Sequence, residues 1–158
     1  MSPFAFVSAV RDIFDGIIVL GGGIADGWGI AGAIAAGADF VYLGTRFIAS
    51  NESAADERHK ELVVACTTTD LLISDAITGA PVSWLKPSVP ASIFEASAKG
   101  PSAIDHDSNA APKKRWKEIF SAGQGLGATK SVESVAGIVD ELERGWKAAR
   151  ARFAAGYP

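Results

Sequence analysis

IIVLGGGIADGWGIAGAIAAGADFVYLGTRFIAS, residues 17–50, reads as strand, glycine turn, helix, strand and second glycine turn. The apolar run Ile17–Leu20, bounded by Gly16 and Gly21–Gly23, predicts one short strand; Phe40–Leu43, between Asp39 and Gly44, predicts another. Between them Asp26 is placed to cap a helix from Gly27 to about Ala36, with Ile30, Ala33, Ile34 and Ala38 spaced to face a sheet and Gly37 as its stop. Such a unit crosses over right-handed, so both strand ends emerge on one face. Backbone N–H groups of Gly22, Gly23, Gly44 and Thr45, with the Thr45 hydroxyl, then converge, and converging N–H groups bind an anion. Glycine matters there because a Cβ would hold phosphate oxygens off the backbone.

Two folds place glycine turns in this way. A dinucleotide-binding sheet requires G-x-G-x-x-G directly after the first strand, and counting from Gly21 its third glycine falls on Asp26. Gly27-Trp28-Gly29-Ile30-Ala31-Gly32 satisfies the pattern, but only several residues later and inside the helix. The second strand ends in Gly44-Thr45-Arg46, without the acidic residue that would meet a ribose; Arg46 keeps an NADP version of this reading open. A (β/α)8 barrel binds phosphate through the loops after its last two strands, which accounts for both glycine-rich ends.

Gly22-Gly23-Ile24-Ala25-Asp26-Gly27, Gly37-Ala38-Asp39 and Gly44-Thr45-Arg46-Phe47 resemble the FMN-binding end of the nitronate monooxygenase family, formerly called 2-nitropropane dioxygenases. Thr78-Gly79, Leu85-Lys86-Pro87-Ser88 and Trp116-Lys117-Glu118-Ile119-Phe120-Ser121-Ala122-Gly123-Gln124-Gly125 look like later landmarks of that family in the same order. Nearly the whole chain is covered, Ala91–Lys114 least well, and the first two motifs are shared with FMN-dependent enoyl-ACP reductases. The resemblance implies an α/β fold: a partial (β/α)8 TIM barrel comprising the last two strands with flanking helices, a C-terminal extension or lid, and a C-terminal helix.

It also implies FMN as cofactor at Gly22, Gly23, Gly44, Thr45 and Gln124, and oxidation of alkyl nitronates with O2 to carbonyl compounds and nitrite. Gln124, between glycines, suits either a hydrogen bond to the flavin phosphate or ribityl chain or the satisfaction of local backbone. Family members are complete barrels, which take roughly 250 residues, and Pro3–Phe14 looks like the helix before their penultimate strand. The family's catalytic histidine lies upstream; neither His59 nor His106 matches it, so no catalytic residue is assigned. The expectation is a chain that supplies the phosphate end of a flavin site and is inactive alone, the alternatives being a relative of the FMN-dependent enoyl-ACP reductases or a non-catalytic fragment or assembly module. Its partners are then a small nitronate or nitroalkane and O2, with a second copy or a separate N-terminal half covering the open strand edges.

Composition sets the outer bounds. The 158 residues are 48% hydrophobic and 21% charged, with a formal net charge of −3, enough apolar matter for a core and the wrong sign for tracking nucleic acid. A single cysteine, Cys66, excludes an internal disulfide, and its apolar neighbours predict a buried, inert thiol. No run approaches the ~20 apolar residues of a membrane span, and MSPFAFVSAVRDIF lacks the early positive charge of a signal peptide. The default location is the cytoplasm.

The chain divides into residues 1–50, the strand–helix–strand portion; 51–130, a helix, a hairpin-like segment and a flexible lid; and 131–158, a final helix packing on the barrel. Asn51 or Ser53 is the expected cap of a helix through about Cys66, burying Leu62, Val63 and Ala65 and leaving Glu57, Arg58, His59, Lys60 and Glu61 in solvent. Leu71–Thr78 and Val82–Leu85 pair around Gly79-Ala80-Pro81; Ser88–Ala111 is a lid or linker; Trp116–Phe120 is a short helical piece. In the last segment Val132, Val135, Ile138, Val139, Leu142, Trp146, Ala149 and Phe153 recur at helical spacing behind a Ser131 cap. Asp105-His106-Asp107 is too local to hold a metal, Trp28, Trp84, Trp116 and Trp146 read as core or interface anchors, and Arg46 meets either a phosphate or an acidic neighbour.

Overall fold

The structure is a computed structural model that describes residues 2–93 and 118–156. Helix α1, Pro3–Arg11, starts on a proline, whose fixed φ and missing N–H suit a first helical turn, and it stops short of Phe14. Strand β1, Val19–Gly21, and strand β2, Phe40–Tyr42, pair in parallel with Val19 opposite Phe40, Leu20 opposite Val41 and Gly21 opposite Tyr42. Between them runs α2, Gly27–Ala35, capped by Asp26, whose Oδ1 accepts from the Gly29 N–H at 2.7 Å. Gly37, at φ +109°, ends the helix in a conformation that β-carbon residues resist.

Polar stitching fixes the entry to both strands. Arg11 donates to the carbonyls of Gly37 (2.8 Å) and Gly16 (2.7 Å) and pairs with Asp39, while Asp39 also accepts from the Ile18 N–H at 2.8 Å. Val7, Leu20, Ala33 and Ala38 form the core between these helices and strands. Ile34, expected to face the sheet, is 41% exposed: α2 presents small residues such as Ala31 and Ala33 to its neighbours, and Ile34 falls outside both contacts.

The middle of the chain departs from expectation in its polar details. Helix α3 is a single turn, Thr45–Ile48, and α4 is Glu57–Ala65. Asp56, rather than Asn51 or Ser53, caps α4, accepting from the Arg58 N–H at 2.9 Å; Ser53 is engaged by Ala55 and the Asn51 N–H by the Glu133 carbonyl. Lys60 is buried, its ammonium reaching Glu57 at 3.0 Å, and Ala65 is exposed. His59 is half-buried: its ring stacks on Phe120 with centroids 4.6 Å apart, and its Nε2 lies 2.9 Å from the Ser121 carbonyl.

Strands β3, Leu71–Ser74, and β4, Val82–Leu85, form an antiparallel pair, tied at one end by Trp84 Nε1 donating to the Ser74 carbonyl. Leu85 is fully buried in a second core with Val63, Cys66, Phe120, Ala122 and Leu126. Trp84 anchors a third with Val89, Ile93 and Ile119. Glu118–Phe120 is not helical: the Phe120 carbonyl accepts from the Leu85 N–H and Ser121 bridges to Trp84, so the stretch lies alongside β4. Trp116, Asp105-His106-Asp107 and most of the expected lid lie outside the described residues.

The last helix, α5, is Val135–Ala154. Its cap is Ser134, which accepts from the Gly137 N–H at 3.1 Å, because the Ser131 hydroxyl is spent on Glu133. Ile138, Leu142 and Ala149 are buried, whereas Val132, Val135, Val139 and Phe153 are exposed. The seam is narrow because α5 touches α2 at glycine: Gly145 lies against Gly27. Among the described residues no helix is long and apolar enough to cross a membrane.

Candidate functional site

Three glycine-containing turns meet at the C-terminal ends of β1 and β2. In the first, Gly22 (φ +98°) and Gly23 (φ +72°) adopt backbone conformations that exclude most side chains, and nothing lies within 4 Å of where their β-carbons would stand. The second begins at Gly44, equally open, and continues into Thr45 at the start of α3. Gly123-Gln124-Gly125 makes the third. Its Gly123 N–H donates to Thr45 Oγ1 at 2.8 Å, and a β-carbon on Gly125 would come within 2.6 Å of that of Ala25. The third turn is therefore seated on both of the others.

Gly22, Gly23 and Gln124 border one cavity of about 280 Å³, with Leu20 and Ile24 among its apolar walls. Gly44 and Thr45 are not part of that lining; they join the site through the Thr45–Gly123 hydrogen bond. Among the described residues, none that lines the cavity has a titratable side chain. A larger cavity, about 550 Å³ and bordered by Asp56, Arg58, Ser88 and Phe120, shares no residue with the three turns. The donor set at the turns is backbone N–H, one hydroxyl with its proton free to donate, and one primary amide. That chemistry, with the open glycines, fits an anion of phosphate size and offers no acid or base for catalysis.

Arg46 is a strut. Its guanidinium, 2% exposed, lies 2.5 Å from Glu141 and 3.4 Å from Glu133, so two carboxylates on and before α5 already meet its charge. Glu133 accepts from Ser131 as well, and that hydroxyl together with the Arg46 charge holds its carboxyl below the usual carboxylate range. Backbone ties reinforce the join: Asn51 N–H to the Glu133 carbonyl at 2.8 Å, and the Val135 N–H to the Glu52 carboxylate at 2.9 Å. Glu133 and Glu141 had no local signal linking them to Arg46. Gly123 and Gly125 did: glycines on either side of Gln124 mark a loop whose backbone approaches another chain segment.

The sequence profile described as nitronate monooxygenase matches residues 1–145. A probable nitronate monooxygenase of Staphylococcus saprophyticus is 38% identical over 69 residues, 44% of this chain and 19% of that protein; one of Staphylococcus aureus is 32% identical over 79 residues, 50% and 22%. Among solved structures, nitroalkane oxidase from Streptomyces ansochromogenes superposes with a TM-score of 0.78 at 27% identity, covering 97% of this chain and 46% of its own. A variant of FabK from Thermotoga maritima gives 0.77 at 26% identity, covering 98% and 50%. The chain spans about half the length of these solved relatives, and the matched stretches about a fifth of the curated ones. The neighbours in structure are α/β enzymes, and by the match over residues 1–145 this chain belongs to the nitronate monooxygenase family.

Proposed function

We propose that this chain provides the FMN-phosphate site of a nitronate monooxygenase, with Gly22, Gly23, Gly44, Thr45 and Gln124 at the phosphate and ribityl end of the flavin. The observation that carries the reading is the seating of Gly123-Gln124-Gly125 against both earlier turns, Gly123 on Thr45 and Gly125 on Ala25, which supports one shared site for the three segments. In this reading the N–H groups of the first two turns donate to phosphate oxygens. Thr45 gives its hydroxyl proton while its oxygen stays bonded to Gly123, and the Gln124 amide reaches the ribityl chain or phosphate. FMN held there supplies the redox chemistry, electrons passing from an alkyl nitronate to O2 with a carbonyl compound and nitrite as products. In this reading the described residues of the cavity bind and orient, and the proton-handling group comes from elsewhere, since none of them is titratable.

The test is FMN absorbance across a size-exclusion peak of the purified chain, followed by titration of Thr45→Val and Gln124→Ala. A hydrogen bond to a charged group contributes about 1.5–3 kcal/mol, so Thr45→Val is expected to weaken FMN by about ten- to a hundredfold. Flavin-free protein at every concentration, or unaltered affinity in both variants, would overturn the assignment. The likeness to FabK supports a second reading, an FMN-dependent enoyl-ACP reductase relative, which predicts NAD(P)H oxidation with an enoyl thioester and none of the nitronate reaction.

A further inference from the structure

The second and third turns are joined by a ring of contacts, and a histidine closes it. Residues 119–122 lead into Gly123 and lie alongside β4: the Phe120 carbonyl accepts from the Leu85 N–H at 2.8 Å, the Ala122 N–H donates to the Ser83 carbonyl at 3.2 Å, and Ser121 stands opposite Trp84. Because those two bonds flank the Ser121–Trp84 pair, the pair is of the non-hydrogen-bonded kind, and the backbone groups of Ser121 itself face away from β4. Helix α4 arrives on that outer side. His59 Nε2 lies 2.9 Å from the Ser121 carbonyl oxygen, and its ring stacks on Phe120 with centroids 4.6 Å apart and planes 14° from parallel. A carbonyl oxygen only accepts, so Nε2 carries the ring proton.

We propose that His59 is a positioning residue for the anion site: it sets the register of residues 119–122 and, through them, the place of Gly123 and Gln124 against Thr45. Two residues beyond the carbonyl that His59 holds, the Gly123 N–H donates to Thr45 Oγ1 at 2.8 Å. Thr45 opens α3, and Ala49 at the end of α3, Val63 of α4, Phe120 and Ala122 share one core. The ring therefore runs from Thr45 through α3, α4, His59, Ser121 and Gly123 back to Thr45. Its apolar contacts are non-directional and tolerate sliding. Its two hydrogen bonds, at Ser121 and at Gly123, are directional and fix where along the segment the turn begins. His59 borders neither the cavity at the glycine turns nor the larger one beside Phe120, so it acts on the turns through the backbone alone. Its effect on a ligand rests on the phosphate reading of these turns; its effect on Gly123 does not.

The test compares His59→Phe, which keeps the stack and removes the donor, with His59→Gln, whose amide nitrogen reaches the place of Nε2. The Gly123 amide proton is followed by NMR on the flavin-free chain, with Thr45→Val marking the shift of that amide without its acceptor and Leu20 and Ala33, in a separate core, as references. FMN is then titrated into the same samples. In His59→Phe the Gly123 resonance should move toward its Thr45→Val position while Leu20 and Ala33 stay at theirs, and FMN should weaken by roughly two- to tenfold, the worth of one neutral hydrogen bond. His59→Gln should recover most of both, and the imidazole nitrogen resonances of the parent should show the proton on Nε2. Four results would overturn the role: a Gly123 resonance unmoved in His59→Phe, movement of Leu20 and Ala33 along with it, a His59→Gln as displaced as His59→Phe, or a ring proton on Nδ1. A Gly123 response without any FMN binding sinks only the phosphate reading, and FMN binding indifferent to His59 with Gly123 unmoved sinks only the positioning role.

Discussion

The contact between α2 and α5 makes a sharp and asymmetric prediction. A β-carbon on Gly27 would stand 2.2 Å from the Trp146 nitrogen, 2.4 Å from the Leu142 oxygen and 2.5 Å from the Gly145 carbonyl carbon. All three are backbone atoms of a continuous helix, so no side chain can swing aside and the two helices must separate by about 1 Å to restore ordinary contact, opening the seam that α5 has with the rest of the chain. A β-carbon on Gly145 meets only Gly27, at 3.1 Å from its Cα and 3.3 Å from its nitrogen, a shortfall of a few tenths of an ångström. Overpacking costs about 1–3 kcal/mol, and replacing a mid-helix glycine by alanine returns roughly 1 kcal/mol. Gly27 is the first residue of α2 and gains less than that, whereas Gly145 lies well inside α5 and gains it in full. Gly27→Ala is therefore expected to lose about 2–3 kcal/mol and Gly145→Ala to stay within about 1 kcal/mol of the parent. At roughly 2–4 °C per kcal/mol for a chain of this size, the first melts about 5–10 °C lower. Circular-dichroism melts of the two variants side by side decide the matter. Equal stability of the pair, or a worse Gly145→Ala, would show that the glycine seam does not join these helices.

Three further outcomes follow from named contacts. Asp26→Ala removes the acceptor for the Gly29 N–H and should cost about 1 kcal/mol, read as a lower urea midpoint with unchanged m-value. The carboxyls of Asp39, Asp70 and Glu133 are held below their ordinary range, chiefly by the Ile18 N–H, the Thr67 N–H and the Ser131 hydroxyl. Their contribution is fully present above the unfolded-state pKa and disappears as pH falls through the lower folded values. Urea midpoints should thus drop below about pH 4, and Asp39→Asn should flatten that acid limb. Burial pushes the Cys66 thiol up, with the Asp70 charge adding to it, so an aromatic disulfide reagent at neutral pH should label Cys66 only after denaturant is added. Prompt labelling of the native chain would contradict the second core.

What could be read from the sequence was local. Asp26, the glycines around it and the period of residues 27–38 sit within one helix length of each other, and the strand–helix–strand unit they specify is present, with β1 shifted to Val19–Gly21, so that it takes in Gly21, and β2 one residue shorter than expected. The same reading brought Gly22, Gly23 and Gln124 forward, and those three share a cavity. It went astray where a residue's fate depends on a distant partner. His59 and Lys60 were counted as solvated from their polarity, yet α4 lies against Phe120 and Ser121, some sixty residues further on. Ser131 was read as the cap, yet its hydroxyl goes to Glu133 and Ser134 accepts the Gly137 N–H in its place. The apolar stripe of the final helix was read as too wide because period alone does not reveal that its partner surface is a glycine.

The two short strands are not what holds the glycine turns in relative position. Each is three residues long, and among the described residues no further strand pairs with either of them. Helix α5 does that work from far along the chain: Gly145 pins the start of α2 just after the first turn, and Glu141, with Glu133 ahead of the helix, grips Arg46 just after the second. The third turn then spans the first two through Gly125 on Ala25 and Gly123 on Thr45. A buried guanidinium is tolerable only while its carboxylates stay in place, and removing one partner of such a pair leaves a charge without compensation. The close pair to Glu141 at 2.5 Å therefore matters more to the second turn than the looser one to Glu133 at 3.4 Å. Anion binding at the turns and the docking of α5 are on this account one property of the chain, because the segments that present the donors are spaced by the helix that lies across them.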